Sequence, residues 1–342
     1  MSSLKLLDNT VIGDGQSPYI IAEVNSSHNG KFDVAKDMIQ AAKDCGCNCV
    51  KFQSWSTNSL YCKSYYKANF VVERIVKKLS LTREELKELA KFAKSIGISY
   101  SSTPYCEEEV DDLVEVGAPF IKIASMDINN YAFLRYIANK QVPIILSTGM
   151  ATLDEIKSAV SVIESCGNKQ IALLHCISIY PADPKTINLR NILMLKDLYP
   201  NYPIGFSDHS LGIELAPAAI AIGASIIEKH LTLDKENLGM DNNMAIEPNE
   251  MKSLVDNCHS VSVALGKFDR VVTKEEQIQK EKMRRSIVSK CNIAKDHEIT
   301  IDDLTAKRPG TGIPLEDFEL VIGKKATCDI EADTLMTRDM FC

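Results

Sequence analysis

Eight short apolar runs recur along the first two-thirds of this chain, and amphipathic helical patterns separate them. Strands that alternate with helices pair in parallel, and eight such units over about 260 residues predict a closed (β/α)8 barrel, the TIM-barrel fold. An open, doubly wound sheet is the alternative that this pattern leaves open. The runs are YIIAEV (19–24), CVKFQ (49–53), ISYSSTPY (98–105), FIKIAS (120–125), PIILSTG (143–149), IALLHC (171–176), PIGFSDHS (203–210) and SIIEKHLT (225–232).

The alternation is interrupted once and stops before the end of the chain. Residues 55–81 follow the second run, on the face where barrels keep their active sites. This segment is therefore either a substrate-covering insertion or a surface excursion. After about residue 282 the long helical patterns give way to short strand-like pieces and turns. We predict a barrel domain over residues 1–281, including a linker helix, and a small β-rich domain over residues 282–342.

Charge and hydropathy argue against several classes of protein. The 39 Lys and Arg residues against 46 Asp and Glu residues give a net charge of −7, whereas a nucleic-acid partner usually requires a basic face. No run approaches the ~20 apolar residues that span a bilayer, and residues 1–15 lack the apolar core of a signal peptide. The eleven cysteines are odd in number, which favours free thiols in a reducing compartment. We expect a cytoplasmic protein without a membrane or nucleic-acid partner.

Polar residues stand at the carboxyl end of every apolar run. In a barrel these ends converge on one mouth, so their side chains are expected to share a pocket. A barrel that served packing alone would not require a polar side chain at all eight ends. The residues are Glu23, Lys51, Gln53, Thr103, Lys122, Ser125, Asp127, Ser147, Thr148, His175, Ser178, Ser207, Asp208, His209, Glu228, Lys229 and His230.

Two lysines inside apolar strands are the strongest local signal. Lys51 lies in CVKFQ and Lys122 in FIKIAS, and a buried ammonium group requires an anionic partner. Hydroxyls at Ser125 and Ser147 favour a phosphate or carboxylate ligand, since Lys and Ser donors suit oxyanions. Two alternatives remain open for each lysine. It could form a structural ion pair, as Lys51 would with Glu23, or it could form a Schiff base as in aldolases.

Two histidines end the last two runs, His209 and His230. Neighbouring strands lie about 4.8 Å apart, so the two imidazoles could bind one metal ion. Water molecules would complete the coordination shell of that ion. Each histidine could instead be a hydrogen-bonded core residue. Glu23, at the end of the first run, could act as a base or could neutralise Lys51.

The ordered set of motifs resembles the bacterial sialic acid synthase family over nearly the whole chain. IIAEVNSSHNG stands at the first strand, with VKFQ, STP and KIAS at the next three. ILSTGMATLDEI, LLHCISIYP, GFSDHSLGIE and IEKHLTLD follow at the last four. The tail, with KRPGTGI and IGKKATCDIEADTL, resembles the antifreeze-like (SAF) domain that this family carries. The resemblance implies condensation of phosphoenolpyruvate with the aldehyde of an N-acetylmannosamine-like sugar, release of phosphate, and a divalent metal, Mn²⁺ or Mg²⁺.

The resemblance also implies roles for individual residues. His209 and His230 match the metal ligands, and Glu23 matches a catalytic carboxylate. Asp241, in GMDNN, matches an aspartate that contacts the sugar. Arg308, in KRPGTGI, matches an arginine that the SAF domain extends into the neighbouring subunit's site, which implies a domain-swapped homodimer. The positions that match the phosphoenolpyruvate site are Lys51, Thr103, Lys122, Ser125, Ser147, Ser178, Tyr180 and Ser207.

Departures from the family pattern bear on the acceptor sugar. KIASMD stands where KIASGE is common, so Asp127, the third predicted catalytic residue beside Glu23 and His209, is one methylene shorter. Asn25-Ser26-Ser27 replaces the common Gly-x-Asn, and Ile179 occupies a variable position. These changes predict a modified acceptor such as a 2,4-diacetamido-6-deoxy hexose. The alternative functions are a pyruvate-dependent Schiff-base aldolase and a non-catalytic carbohydrate-binding protein.

Overall fold

The computed structural model describes residues 2–237 and 239–342. The chain divides into two compact units, Met1–Gly266 and Lys267–Cys342. The domain boundary inferred from the sequence, between residues 281 and 282, lies further along the chain and stays a prediction. Within the described residues, no helix is both long enough and apolar enough to cross a membrane.

An eight-stranded parallel sheet behind a short hairpin forms the centre of the first unit. Its strands, with the hairpin first, are β1 (Ser3–Lys5), β2 (Val11–Gly13), β3 (Tyr19–Glu23), β4 (Cys49–Gln53), β5 (Ser99–Thr103), β6 (Ile121–Ile123), β7 (Ile144–Ser147), β8 (Ile171–Cys176), β9 (Ile204–Asp208) and β10 (Ile226–His230). The sheet runs in the order β5-β4-β3-β10-β9-β8-β7-β6, and its hydrogen-bonded neighbours are parallel. The end strands β5 and β6 lie side by side, and Ser101 Oγ donates to the Phe120 carbonyl oxygen at 2.8 Å. This near-closed barrel confirms the predicted (β/α)8 fold over the doubly wound alternative.

Helices follow the strands and cover the outside of the sheet. Their ends carry the sequence signals that predicted them. The Thr82 side chain accepts from the Glu85 backbone N–H, and the Glu85 carboxylate accepts from the Thr82 N–H at 2.8 Å, which is a capping box. The same helix ends at Gly97, whose φ of +75° is accessible at low cost to a residue without Cβ. The helices are α1 (Phe32–Asp44), α2 (Lys63–Ala68), α3 (Phe70–Leu79), α4 (Arg83–Ile96), α5 (Glu107–Glu115), α6 (Tyr131–Asn139), α7 (Leu153–Ser165), α8 (Pro184–Ile187), α9 (Asn191–Leu198), α10 (Leu215–Ala221) and α11 (Pro248–Leu265).

Successive side chains along each strand point alternately toward the surrounding helices and toward the interior of the barrel. One set, such as Val50 and Phe52 of β4, packs in the apolar layer between the strands and the helices. At the amino-terminal end of the barrel, Leu6 and Ile12 of the β1–β2 hairpin region pack with the interior residue Tyr19. The barrel is therefore plugged by apolar side chains at its amino-terminal end, and the carboxyl-terminal end is left for polar residues.

The segment 55–81 folds into α2 and α3 and has a small core of its own. Trp55, Tyr66, Val76 and Leu79 are buried together. In the part of the chain that the structure describes, none of these residues lines the cavity at the barrel mouth. The substrate-covering role of this segment stays a prediction.

The second unit is small and rich in β structure. It begins with α12 (Lys274–Met283) and contains the antiparallel strands β11 (Ser286–Ser289) and β12 (Leu304–Lys307), followed by α13 (Phe318–Val321). Short 3-10 turns lie at Ile301–Asp303, Leu315–Asp317 and Arg338–Met340. Its core consists of Ile287, Ile293, Ile299, Leu304, Ile313, Val321, Ala326, Ile330 and Met336.

Candidate active site

A cavity of about 330 Å³ opens at the carboxyl ends of the barrel strands. All but two of the residues to which the family resemblance assigns a role line it, although they come from all parts of the barrel sequence. They are Glu23, Lys51, Thr103, Lys122, Ser125, Ser147, Ser178, Tyr180, Ser207, His209, His230 and Asp241. The residues with assigned roles therefore meet in one cavity, whereas the strand-end residues Thr148, His175, Asp208 and Lys229 do not line it.

The strand geometry explains why these residues converge. Successive side chains point to opposite faces of a strand, so residues two apart share a face. Ser207 and His209 line the cavity while the intervening Asp208 does not, and Glu228 and His230 line it while Lys229 does not.

Asp127 and Arg308 are the two residues with an assigned role that the cavity lining does not include. Asp127 ends the 3-10 turn Ser125–Asp127 and is half-buried, and its carboxylate accepts a hydrogen bond from Asn130 Nδ2 at 3.1 Å. Burial raises the pKa of the Asp127 carboxyl. Arg308 belongs to the second unit. The catalytic role of Asp127 and the sugar-site role of Arg308 stay predictions.

Glu23 and Lys51 form an ion pair inside the cavity, with side chains 1% and 2% exposed. Lys51 Nζ also donates to Thr103 Oγ1 at 3.1 Å, and the Asn25 backbone N–H donates to Glu23 Oε1 at 2.8 Å. Burial raises the pKa of the Glu23 carboxyl to about 7, although Lys51 opposes the rise. Burial alone would lower the pKa of Lys51, but Glu228 and Glu23 outweigh it and the pKa is raised. Lys51 is thus a cation, and Glu23 can exchange a proton near neutral pH.

The positive charge of Lys122 is less well compensated by nearby carboxylates than that of Lys51. Its Nζ donates to Ser147 Oγ at 2.6 Å, and Glu228 Oε1 lies 3.8 Å away. Burial lowers the pKa of Lys122. Glu228 also lies 3.8 Å from Lys51 and accepts from Ser207 Oγ at 3.0 Å. Within the described residues its second oxygen, Oε2, has no hydrogen-bond partner, so Glu228 compensates the two lysines through charge at 3.8 Å and not through a hydrogen bond. Lys122 uses two of its three N–H donors, on Ser147 and on the Ile123 carbonyl oxygen, and keeps one for an anionic ligand.

His209 and His230 face each other across neighbouring strand ends, with ring centroids 5.5 Å apart. His209 Nδ1 lies 2.7 Å from the Ile177 carbonyl oxygen and must donate to it, so the lone pair is on Nε2. Ser207 Oγ lies 3.4 Å from Nε2, but its one hydrogen is donated to Glu228 Oε1 at 3.0 Å. His230 Nδ1 is buried and lacks a hydrogen-bond partner among the residues described. Burial lowers the pKa of both histidines, so both rings are neutral near pH 7. Neutral imidazoles with unpaired nitrogens are suited to metal binding.

The histidine pair would supply only part of a metal's coordination shell. Over residues 2–237 and 239–342, no group of three or more His, Cys, Asp or Glu side chains is arranged to hold an ion. An ion bound by the two imidazoles would therefore take its other ligands from water and substrate, which is how catalytic metals keep an open position.

Two cavity residues, Glu228 and Tyr105, have no role assigned from the sequence, and Asn25 is noted there only within the Asn25-Ser26-Ser27 departure from the family motif. Glu228 was noted only as a strand-end residue, although its spacing from His230 already puts both on one face. Asn25 and Tyr105 lie on loops, where no periodic pattern signals their direction. Tyr105 OH donates to Gln53 Oε1 at 2.7 Å, so these two residues form one wall of the cavity.

Comparison with family models agrees with this fold. The model described as the NeuB family matches residues 38–270, and the SAF domain model matches residues 284–341. The chain is 38% identical over 328 residues to the N,N'-diacetyllegionaminic acid synthase of Campylobacter jejuni, covering 93% of this chain and 98% of that one. It is 34% identical over 336 residues to the human N-acetylneuraminate-9-phosphate synthase, covering 95% and 93%.

A solved structure shares the architecture. The N-acetylneuraminic acid (sialic acid) synthetase of Leptospira borgpetersenii, crystallised with citrate, superposes with a TM-score of 0.74. It is 34% identical, and the match covers 81% of this chain and 96% of that one. The chain therefore belongs to the NeuB family of condensing enzymes, with a SAF domain after its barrel.

Proposed function

We propose that this protein joins phosphoenolpyruvate to the open-chain aldehyde of an N-acylated aminohexose, giving a nine-carbon sialic-acid-type sugar and phosphate. One observation carries the proposal: two buried lysines, Lys51 and Lys122, and two buried histidines, His209 and His230, meet in one cavity. The lysines suit the phosphate and carboxylate of phosphoenolpyruvate. The histidines suit a divalent metal beside it.

Phosphoenolpyruvate would be held by groups that are already ordered. Lys122 with Ser147, and Lys51 with Thr103, are pairs that the protein's own hydrogen bonds hold in place. Donors fixed in this way do not need to be ordered during the reaction, which lowers the entropic part of the barrier. Ser125, Ser178, Tyr180 and Ser207 line the same cavity and are the further candidates for this site.

His209 and His230 fit a divalent ion because both rings are neutral and each has a nitrogen with a free lone pair. When bound, Mn²⁺ or Mg²⁺ would act as a Lewis acid on the oxygen of the sugar aldehyde. Tyr180 packs its ring 4.3 Å from the His209 ring and so limits the space on that side.

Proton transfer would fall mainly to Glu23. C3 of phosphoenolpyruvate forms a bond to the aldehyde carbon, the aldehyde oxygen takes a proton from the protonated form of Glu23, and C2 becomes cationic. Water then adds to C2, and the bond from C2 to the phosphate oxygen breaks as the ketone forms. A carboxyl group with a pKa of about 7 can take the proton from the attacking water near neutral pH. Asp127 remains a predicted second participant.

The lining of the cavity favours an uncharged acceptor. Among the described residues that line it, Lys51 and Lys122 are the only lysines or arginines, and both are buried. Met126 and Met150 are exposed residues of the same lining. The two thioether side chains suit the 6-methyl group of a 2,4-diacetamido-6-deoxy hexose, whereas a sugar phosphate would need a cation other than these two lysines.

The homodimer and the cellular location also remain proposals. Arg308 of one subunit would enter the cavity of its neighbour, and the protein would act in the cytoplasm. Mixing an Arg308→Ala variant with a Lys122→Ala variant tests the exchange, because some heterodimers would contain one intact site. Absence of any recovered activity would argue against it.

The proposed reaction is tested with purified protein, phosphoenolpyruvate and MnCl₂. The acceptors are N-acetylmannosamine, its 6-phosphate and 2,4-diacetamido-2,4,6-trideoxymannose. We expect release of phosphate and a product whose mass equals acceptor plus phosphoenolpyruvate plus water minus phosphoric acid. Folded protein that releases no phosphate with any acceptor would refute the proposal.

The same assay distinguishes the aldolase alternative. A Schiff-base aldolase would use pyruvate, would not require a metal, and would yield a borohydride-trapped adduct on Lys51 or Lys122. We expect no such adduct and full loss of activity in EDTA.

A further inference from the structure

Asn25 brings a side chain into the cavity from a backbone position that suits glycine. Its φ of +38° lies in the left-handed region, where Gly and Asn are the residues found most easily. It stands where the motif of this family commonly has Gly. The residue is only 6% exposed and lines the cavity.

The two ends of the Asn25 amide have different surroundings. Its Nδ2 donates to Asp241 Oδ2. An ionised carboxylate can only accept, so the amide must turn its NH₂ group toward Asp241 and its oxygen away. That oxygen, Oδ1, is buried and has no hydrogen-bond partner among residues 2–237 and 239–342. A buried acceptor without a partner is costly, and at a cavity wall a bound ligand can supply the missing donor.

The position of Asn25 identifies which ligand would supply this donor. Its neighbour Asp241 has Oδ2 3.7 Å from Nδ1 of His230, whereas Lys122 and Ser147 belong to strands on the other side of the barrel. Phosphoenolpyruvate carries only acceptors when ionised, so it cannot satisfy Oδ1. Of the two substrates, only the acceptor sugar carries such a donor.

An acylamino N–H fits this oxygen better than a hydroxyl group does. The amide nitrogen donates and has no accessible lone pair. A hydroxyl oxygen would bring lone pairs close to the carboxylates of Asp241 and Glu23, which flank Asn25.

We propose that Asn25 is a specificity-determining residue whose Oδ1 accepts a hydrogen bond from the acylamino N–H of the acceptor sugar. Its side chain also occupies space that a glycine would leave open, and so limits the size of the acyl group. This inference rests on the proposed function and assigns one of the sugar contacts to a named atom.

The test compares two acceptors that differ at one substituent, N-acetylmannosamine and mannose. The measured quantity is the ratio of their kcat/KM values in the wild type, Asn25→Gly and Asn25→Ala. We expect the ratio of N-acetylmannosamine to mannose to fall by about tenfold or more in both variants. Neither variant has the buried Oδ1 atom that would accept a hydrogen bond from the acylamino N–H. The KM for phosphoenolpyruvate should change by less than about twofold. Asn25→Gly should also gain relative activity with N-propanoylmannosamine.

Ser27→Ala is the matched control. Ser27 Oγ donates to Asn242 Oδ1 at 2.6 Å, so it connects the same two loops without lining the cavity. Its ratio should equal that of the wild type. An unchanged ratio in folded Asn25→Gly and Asn25→Ala, with an active wild type, would overturn the inference and leave the proposed function intact.

A binding measurement covers the case in which the wild type is inactive with every acceptor. That result would remove the proposed function. Calorimetry with the reduced sugar N-acetylmannosaminitol, which cannot react, would then still test Asn25. We expect about tenfold weaker binding to Asn25→Gly than to the wild type, and equal affinity would overturn the inference.

Discussion

Lys229 and Lys122 are both buried lysines of barrel strands, but their surroundings differ. Lys229 points toward the helices, and its side chain and that of Asp208 have no exposed surface. Its Nζ donates to Asp208 Oδ2 at 2.9 Å and to the Ser210 carbonyl oxygen at 2.6 Å. Lys122 points into the cavity, donates to the neutral Ser147 hydroxyl, and has Glu228 only at 3.8 Å.

The difference shows that burial of a lysine is not by itself a sign of function. The helix-facing pair is fully matched, since Asp208 Oδ1 also accepts from the Ser210 N–H and Oγ–H groups. The cavity-facing lysine is under-compensated, and its pKa is lowered by burial. A buried charge that lacks a close partner of opposite charge and lies next to a cavity is therefore the better sign of a ligand-binding residue.

Among substitutions of helix-facing residues, Lys229→Met should cause the largest loss of unfolding free energy. It leaves Asp208 charged and buried without its cation, and removing one partner of a buried pair costs about 3–5 kcal/mol. Urea denaturation at pH 7 measures the lost free energy of unfolding. The control is the double variant Lys229→Met/Asp208→Leu, which replaces the pair with apolar side chains and should recover most of the stability. A single variant as stable as the wild type would erase the contrast between the two lysines.

Lys122→Met should lower activity and leave stability unchanged. We expect kcat/KM for phosphoenolpyruvate to fall by about 10²–10³-fold, as when one preorganised donor of an anion site is removed. The free energy of unfolding should not fall, because burial already disfavours the charged lysine in the folded state. Steady-state kinetics and urea denaturation of the same preparation test both halves. Loss of stability with activity retained would make Lys122 a structural residue like Lys229.

The pH dependence of stability should come in part from His28, a helix-side residue. His28 is buried beside the Phe52 ring and accepts from the Gly30 N–H at 3.0 Å. Burial lowers its pKa from 6.5 to about 4. Between these values the unfolded chain binds a proton that the folded chain does not. Stability is therefore complete above pH 6.5 and falls by up to about 1.4 kcal/mol per pH unit as the pH decreases toward 4.

His28→Asn isolates this effect, since its side-chain oxygen can still accept from Gly30. The difference in unfolding free energy between wild type and variant should shrink as the pH falls from 7 to 4.5, whereas activity at pH 7 should change little. A difference that is constant with pH would contradict the buried, neutral state of His28.

Two serines at the same strand end should show the smallest and most selective effects. Ser210→Ala removes one hydrogen bond to the Asp208 carboxylate and should cost about 2 kcal/mol of stability with little change in activity. Ser207→Ala frees Glu228 Oε1 in the cavity and should lower kcat/KM by about tenfold with little change in stability. If both variants lost only stability, the functional division between the two strand faces would be wrong.

The sequence predicted the strands well because apolar runs with polar ends are local patterns. The run 49–53 coincides with Cys49–Gln53, and 171–176 with Ile171–Cys176. Position at a strand end, however, predicts more cavity residues than the structure contains. Thr148, His175, Asp208 and Lys229 do not line the cavity, and His175 Nε2 lies 2.6 Å from the Ile187 carbonyl oxygen instead. Counting two-residue periods along each strand would have removed Asp208 and Lys229.

Other features of the site were beyond the sequence because they join distant parts of the chain. Glu228 lies close to both Lys51 and Lys122, which come from different strands. Asn25 meets Asp241 across 216 residues of sequence. No local pattern indicates which of several strand-end charges will face one another.

The barrel, the order of its strands and helices, and most of the polar side chains at its carboxyl-terminal mouth could be predicted from the amino-acid sequence. These features follow from hydrophobic period, helix caps and residue type, which act over a few neighbouring residues. Which buried charges have a close partner could be read only from the folded chain, as for Lys229 with Asp208 and for Lys122 near Glu228. Pairing depends on distances of a few ångströms between strands far apart in the chain, and those distances exist only once the sheet curves round on itself.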